Sequence, residues 1–305
     1  MNGSVRQRLE AALEYAALAP KEIDWDAWEF RLADEHLELI AESAPELEGI
    51  DPDGRESMIS CGAALQYLKL ALKHSGSLGR VELFPELDQP RLVARIHSGN
   101  SSLRDRQESL IFEAMSRSLI PSSSMGKAPV SDAMLAVLSQ AVAGERGWLD
   151  FTQSETSLQR VVKITLAADD GRSQWTSPWS GRQASRWSRP LLGFGSRSVK
   201  VRKAVVEQVR QLPTPAATLA VVKTKTDDKH GWLAAGQTMA RAILQAQAMG
   251  LSWAFVDPLR RQAAREELRV IVGHKGFAQV ILRFGSLMAD LPATAGSTAA
   301  RIASR

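Results

Sequence analysis

This sequence predicts a mixed helix-and-strand fold made of two related half-units, and three features predict it. A long apolar helix pattern with an internal glycine occurs twice. Each copy ends at a glycine and is followed by two strand-like runs. The 305 residues have ordinary soluble composition, 44% apolar and 24% charged, which is enough to bury a sizeable core and excludes a disordered or collagen-like chain.

Residues 1–20, MNGSVRQRLEAALEYAALAP, read as an amphipathic helix carrying acids and bases. They lack the continuous apolar run of a signal peptide. Residues 55–74, RESMISCGAALQYLKLALKH, place Ile59, Ala63, Leu65, Leu68 and Leu72 at spacings that suit a mostly buried helix, with Gly76 as its stop. Strand-like runs follow at Arg80–Phe84 and Leu92–Ile96, separated by Pro85 and Pro90. Residues 231–250, GWLAAGQTMARAILQAQAMG, repeat the plan: Gly236 precedes Gly250 by the same fourteen residues that separate Gly62 from Gly76. Then come the strand LSWAFV, a helical insertion around Arg260–Val272, and QVILRFG ending at Gly285. A repeat this long, present only twice, suggests fusion of two half-units rather than a solenoid. Two similar helix–strand pairs arising by chance remain the alternative. A glycine within a helix costs about 1 kcal/mol relative to alanine, so Gly62 and Gly236 belong where two helices, or a helix and a flat ligand, approach closely.

Between the repeats, 105–116 and Asp132–Val142 read as helices and Ile120–Val130 as a serine-rich loop. Thr152–Ala168 is expected to hold a helix start followed by the strand VVKITLA. The expected organisation is one domain over 1–305, with half-unit 1–104 and half-unit 105–305, the latter carrying an inserted segment 171–206. That segment holds eight basic residues and no acidic one, interleaved with Trp175, Trp179, Trp187 and Phe194. It suits a single-stranded nucleic acid, a lid over a pocket, or a surface excursion that is either solvated or packed on a partner chain. A net charge of only +4 argues against the first.

Cys61 is the only cysteine, which excludes an intrachain disulfide and fits a reducing, cytoplasmic setting. No run of about 18 apolar residues occurs, so no membrane span is expected. The zinc-protease, phosphate-loop and nucleophile-elbow motifs are absent, and GFGSRS at 193–198 lacks the third glycine of a dinucleotide fingerprint. His36, His74, His97, His230 and His274 are scattered singly. Asp24 and Asp26, beside Trp25 and Trp28, are the most unusual polar cluster. They could share a proton or a cation on one face of a strand, or serve as turn residues.

At RESMISCGAALQYLKLAL, with the glycine and the FPELDQPRLVARI strand beyond it, the chain resembles the nitroreductase superfamily. It is more narrowly similar to the Acg-type branch, in which two half-units are fused. GWLAAGQTMARAILQAQAMGLSWAFVDPL, GFAQVILRFG and the opening AALEYAALAP and WEFRLADEHLELIAE extend the resemblance over nearly the whole chain, 171–206 excepted. It implies an α+β fold: a nitroreductase-like pseudo-dimer in one chain, with an antiparallel-rich sheet flanked by helices. It also implies FMN in a cleft between the half-units and ping-pong transfer of reducing equivalents from NAD(P)H to nitroaromatics, quinones or similar acceptors.

The cofactor-binding positions implied are Asp24, Asp26, Trp28, Arg117, Ser122, Ser123, Ala254, Phe255 and Arg283; no catalytic residue and no metal is assigned. Several depart from the family pattern. Where the family has Ser-Gly-His-Asn-Thr-Gln-Pro-Trp, this chain has Lys21 to Trp28 and keeps only the tryptophan. Carboxylates at Asp24 and Asp26 accept but cannot donate to flavin carbonyls. Ser122, Ser123, Ser124 and Met125 stand in an arginine-rich run of which Arg117 remains, and Gly296 and Ser297 replace paired arginines, leaving Arg283 and Arg301 as substitutes. Ala254 and Phe255 occupy a Ser-Pro position. Two functions are open on this reading. One is a divergent member with degraded flavin motifs, a lapsed or altered enzyme or a regulatory subunit, with Trp25 and Trp28 filling the cleft. The other is a working FMN-dependent oxidoreductase. The expected partners are a small molecule or a protein, including a homo- or hetero-oligomer, with no membrane and no nucleic acid.

Overall fold

The computed structural model describes residues 4–20, 27–33, 35–42, 51–100, 106–115, 129–168, 218–256, 262–271, 273 and 275–286. Helix α1 (Val5–Ala16) opens with a reciprocal cap between Ser4 and Gln7 and lays Leu9, Ala12, Leu13 and Ala16 on the core. Strands β1 (Trp28–Leu32) and β2 (His36–Ala41) form a hairpin. Helix α2 (Arg55–His74) follows, then β3 (Leu78–Leu83) and β4 (Leu92–Ser98). Two helices, α3 (Arg106–Met115) and α4 (Asp132–Val142), lead into β5 (Gly147–Thr152) and α5 (Glu155–Ala168). The remaining elements are β6 (Thr218–Thr224), α6 (Lys229–Ala248), β7 (Leu251–Phe255), α7 (Gln262–Ile271) and β8 (Phe277–Ser286).

The two halves share one topology. The strands form two four-stranded antiparallel sheets ordered β1-β2-β4-β3 and β5-β6-β8-β7, so β1, β2, β3 and β4 correspond in turn to β5, β6, β7 and β8. Both long helices span twenty residues, and Gly62 and Gly236 each occupy the eighth. Both central strand pairs carry a bulge. Leu39 pairs with Ala94 and Ile40 with Leu92, leaving Val93 extra; Val222 pairs with Val280 and Lys223 with Ala278, leaving Gln279 extra. The fold is therefore α+β, built from two related half-units in a single chain.

Helix α2 lies on the first sheet, α6 on the second, and the two pack on each other. Of the two partners open to the glycines, the structure chooses helix against helix. A Cβ on Gly236 would sit 1.9 Å from the Ile59 carbonyl oxygen, and one on Gly62 would sit 2.2 Å from that of Leu233. No side chain fits there, which is why glycine is tolerated despite its cost within a helix. Both helices stop where expected, with Gly76 at φ 71° and Gly250 at φ 75°.

One expectation is corrected. VVKITLA is not a strand but part of α5. Its β-branched residues suggest extended chain, yet Leu158, Val161 and Ile164 recur at a spacing of three and are buried. Leu158 and Val161 join Leu268 of α7 and Ile281 of β8 in a small second core. Tertiary burial of a helical stripe overrides β-propensity here. Strands β1, β2, β5 and β6 lie outside the expectation from sequence. Among the described residues, no helix is long and apolar enough to cross a membrane.

Candidate functional site between the half-units

Among the described residues, buried charged groups gather where the start of α2 meets the second sheet. The first turn of any helix leaves backbone N–H groups without partners. Gly54, the residue before α2, has no side chain to offer, and Asp51 does the work from further back. Its carboxylate accepts from the N–H of Glu56 at 2.9 Å, the N–H of Ser57 at 2.8 Å and the Ser57 hydroxyl at 2.8 Å. This anchor fixes Arg55 and Glu56, which are only 3% and 2% exposed.

Arg55 then reaches across to the bulge in β8. Its Nε donates to Gln279 Oε1 at 3.2 Å, and its terminal nitrogens contact the Gln279 carbonyl oxygen and Glu56 Oε1. The Gln279 amide nitrogen donates in turn to Thr224 Oγ1 and to Asp227 Oδ1, both at 3.1 Å. Asp227 also accepts from the Trp232 indole at 2.7 Å and pairs with Arg265 at 3.5 Å. Burial alone would raise the Asp227 pKa. Hydrogen bonds from Trp232 and Gln279, with the charges of Arg265 and Arg55, outweigh it and hold the carboxyl below its ordinary range. Burial, reinforced by Arg55 and opposed by Asp227, lowers the Arg265 guanidinium.

Two oxygens in this part of α2 are buried without a hydrogen-bond partner, Glu56 Oε2 and Ser60 Oγ, one helical turn apart. With Arg55 and Glu56 closed off from solvent, the cluster is a junction holding the half-units in register and not an open reaction centre. Among the described residues no group of three or more His, Cys, Asp or Glu side chains is placed to hold a metal ion.

The equivalent start of α6 is built differently. Asp228 caps it by accepting from the Gly231 N–H at 2.9 Å. Lys229 lies over the ring of Phe84, its Nζ 4.5 Å from the centroid, and His230 meets the same ring edge-on at 4.5 Å. Val93, the bulge residue here, has its carbonyl taken by the Phe84 N–H at 2.9 Å.

Of the residues expected to contact a cofactor, Asp24, Asp26, Arg117, Ser122 and Ser123 lie outside the described residues, as do Trp25 and the segment 171–206. Trp28 is on β1 of the first sheet, buried in the main core. Ala254 and Arg283 are brought together, directly opposite each other across β7 and β8. Burial lowers the Arg283 guanidinium from its ordinary value, and its Nε has no hydrogen-bond partner. Phe255 points to the other face of the sheet from Ala254, where it meets Trp253 edge-on at 5.2 Å.

FMN asks for hydrogen-bond donors and acceptors along its ring and for cations or amides at its phosphate. At the described positions the ring contacts do not fit. Ala254 and Phe255 carry no polar side-chain atom, and Trp28 lies in the core. Arg283 alone suits a phosphate.

Two features escape a reading by sequence. Arg55, Glu56 and Gln279 belong to no recognised motif, although an adjacent Arg-Glu pair opening an otherwise apolar helix is a usable signal, since such residues are rarely buried unless paired. The histidines, read as scattered, include one pair: His36 and His97 face each other across β2 and β4 with ring centroids 5.7 Å apart. His97 Nε2 lies 2.9 Å from Glu82 and His36 Nε2 lies 3.8 Å from Glu38.

No family model matches the chain. Among curated proteins it is 27% identical to a "Putative NAD(P)H nitroreductase" of Mycobacterium tuberculosis, over 92% of this chain and 85% of that protein. It is 20% identical to the "Putative NAD(P)H nitroreductase acg" of the same organism, over 91% and 88%. Over about nine-tenths of its length the chain is thus similar to proteins named as nitroreductases, Acg among them. Among solved structures, a nitroreductase with bound FMN from Bacteroides fragilis aligns at TM-score 0.40 and 12% identity, covering 64% of this chain and 98% of that one.

Proposed function

We propose that this chain is a divergent Acg-type nitroreductase relative whose flavin chemistry has lapsed or been altered, and which acts as a partner or regulatory subunit. The observation that carries the reading is the pair Ala254 and Phe255 at the end of β7, which offers a flavin ring no polar side-chain atom. Trp28, the one residue kept from the family's flavin-contacting segment, is part of the core. Carboxylates at Asp24 and Asp26 add acceptors where donors are needed.

The alternative is a working FMN-dependent NAD(P)H oxidoreductase acting on nitro, quinone or similar acceptors. It is favoured by Arg283, whose half-buried guanidinium keeps one nitrogen without a partner. When bound, FMN would supply the electron transfer. Arg283 is the described residue suited to hold its phosphate. A neutral hydrogen bond is about half as strong as a charge-assisted one, so serines alone would replace lost arginines poorly.

The absorption spectrum of the purified protein, before and after incubation with excess FMN and desalting, separates the two. The first reading expects colourless protein that retains no FMN. A yellow protein releasing about one FMN per chain on denaturation would overturn it and establish the second.

A further inference from the structure

The first sheet has a polar outer face, and two histidines meet on it. Strand β2 turns Leu37 and Leu39 to the main core and β4 turns Ala94 and Ile96, so His36 and His97 lie on the opposite side. They pair directly across the two strands, with ring centroids 5.7 Å apart. Counted from the bulges, the same positions of the second sheet hold the pair Leu219 and Arg283, so the shared fold does not itself ask for two imidazoles here.

The rings are oriented by carboxylates. A carboxylate only accepts, so the His97 Nε2, 2.9 Å from Glu82 Oε1, carries the ring proton and Nδ1 keeps its lone pair. His36 is set in the same way but more loosely, its Nε2 3.8 Å from Glu38 Oε1. Neither Nδ1 makes a hydrogen bond and neither is buried, so both open to solvent. The two side chains keep 30% and 32% of their surface exposed. A carboxylate that accepts from one ring nitrogen is what usually holds a metal-ligating imidazole in place by the other.

The surrounding charges suit a cation. Glu38 pairs with Arg95 at 2.9 Å, Arg95 also reaches Glu86 at 3.1 Å, and Glu82 pairs with Arg80. Three carboxylates against two guanidiniums leave a net negative setting, and Arg31, next along the row, is matched by Glu29.

We propose that His36 and His97 bind one divalent ion of the kind that prefers imidazole, zinc, nickel or copper, through their two Nδ1 atoms. With metal–nitrogen bonds of about 2.1 Å, two imidazoles on one ion have ring centres about 5–6 Å apart, a range that includes the observed separation. Among the described residues no third protein ligand is placed to join them, so water completes the coordination. Glu82 and Glu38 act as positioning residues for the rings. The ion ties β2 to β4, and because only the folded chain brings the two histidines together, its binding stabilises the fold.

The test is equilibrium dialysis of the full-length, untagged, metal-free protein against zinc chloride, with magnesium chloride as a parallel arm. Saturable uptake of about one zinc per chain, and none of magnesium, is expected. His36→Ala and His97→Ala should each weaken zinc binding more than about tenfold, and Glu82→Gln about tenfold. His230→Ala, in the other half-unit, should leave it unchanged. Should an alanine variant misfold, the imidazole proton resonances of the parent protein decide, since zinc should move those of His36 and His97. No saturable uptake, equal uptake of magnesium, an affinity indifferent to both alanine variants (an adventitious ion only), or shifts confined to the other histidines would each overturn the proposal.

Discussion

The starts of α2 and α6 occupy the same place in two halves of identical topology, and they are chemically unlike. Arg55 of α2 crosses to the carbonyl and amide of Gln279 and draws in Glu56, Thr224, Asp227 and Arg265. At the start of α6, Lys229 and His230 rest against Phe84. In both halves the fourth strand is bulged beside the second, and the bulge decides what is available. Val93 spends its carbonyl on the Phe84 N–H within its own half, whereas the Gln279 carbonyl turns to the other half. The backbone geometry is alike in the two halves, while the side chains on it differ. A bulge and a glycine contact constrain the chain wherever they occur, but a crossing contact needs only that its polar groups be satisfied together or be absent together.

The largest effect expected concerns what the halves share. Gly236→Ala forces a Cβ against the Ile59 carbonyl, and Gly62→Ala forces one against that of Leu233. Backbone lies on both sides, so the helices must separate, and each change should cost about 3 kcal/mol or more in a denaturant-unfolding measurement. A loss below about 1 kcal/mol at either would show that the helix contact is not common to both halves.

Arg55→Met probes the polar junction. It leaves the Glu56 carboxylate and the Gln279 carbonyl buried without their cation, and a loss of about 3–5 kcal/mol is expected. The double variant Arg55→Met with Glu56→Leu should recover much of that in the same unfolding experiment, because removing both charges of a buried pair is far less costly than removing one.

Asp227 adds a pH signature. Its folded pKa is depressed, so the stability it contributes is present above the unfolded carboxyl's pKa of about 3.9 and is lost as pH falls through the lower folded value. Asp227→Asn should be less stable than the parent at pH 7, with the gap closing in acid. A gap that holds constant down to pH 2 would separate Asp227 from the charged network.

The smallest effect is expected on the apolar side. Lys229→Met removes one exposed cation over a ring, worth about 0.5–1 kcal/mol. Thermal unfolding of this variant beside Arg55→Met measures the asymmetry directly, and equal losses would erase it.

Much of this architecture was legible in the sequence. The glycine-terminated helices, the strands β3, β4, β7 and β8 and the insertion helix α7 carry local signals of period and punctuation. The hairpin β1–β2 alternates buried and less buried residues, a pattern carried by only five residues in WEFRL and six in HLELIA. Strand β6 is buried along its whole length and lacks any alternation to read. In α5, β-branched residues pointed to a strand until packing against α7 overruled them. Of the candidate site, the pairing of Ala254 with Arg283 follows from strands that sequence did locate, but the charged junction does not.

By itself, the sequence determined that this chain folds as two similar units with long helices closed by glycines, since turns, stops and periodicity are properties of neighbouring residues. Only the tertiary structure decided that Arg55 would meet Gln279, a residue 224 positions away, and that Gly62 and Gly236 would pass helix against helix. Such contacts arise when distant segments are buried together, and the requirement that every buried polar group find a partner then selects among them.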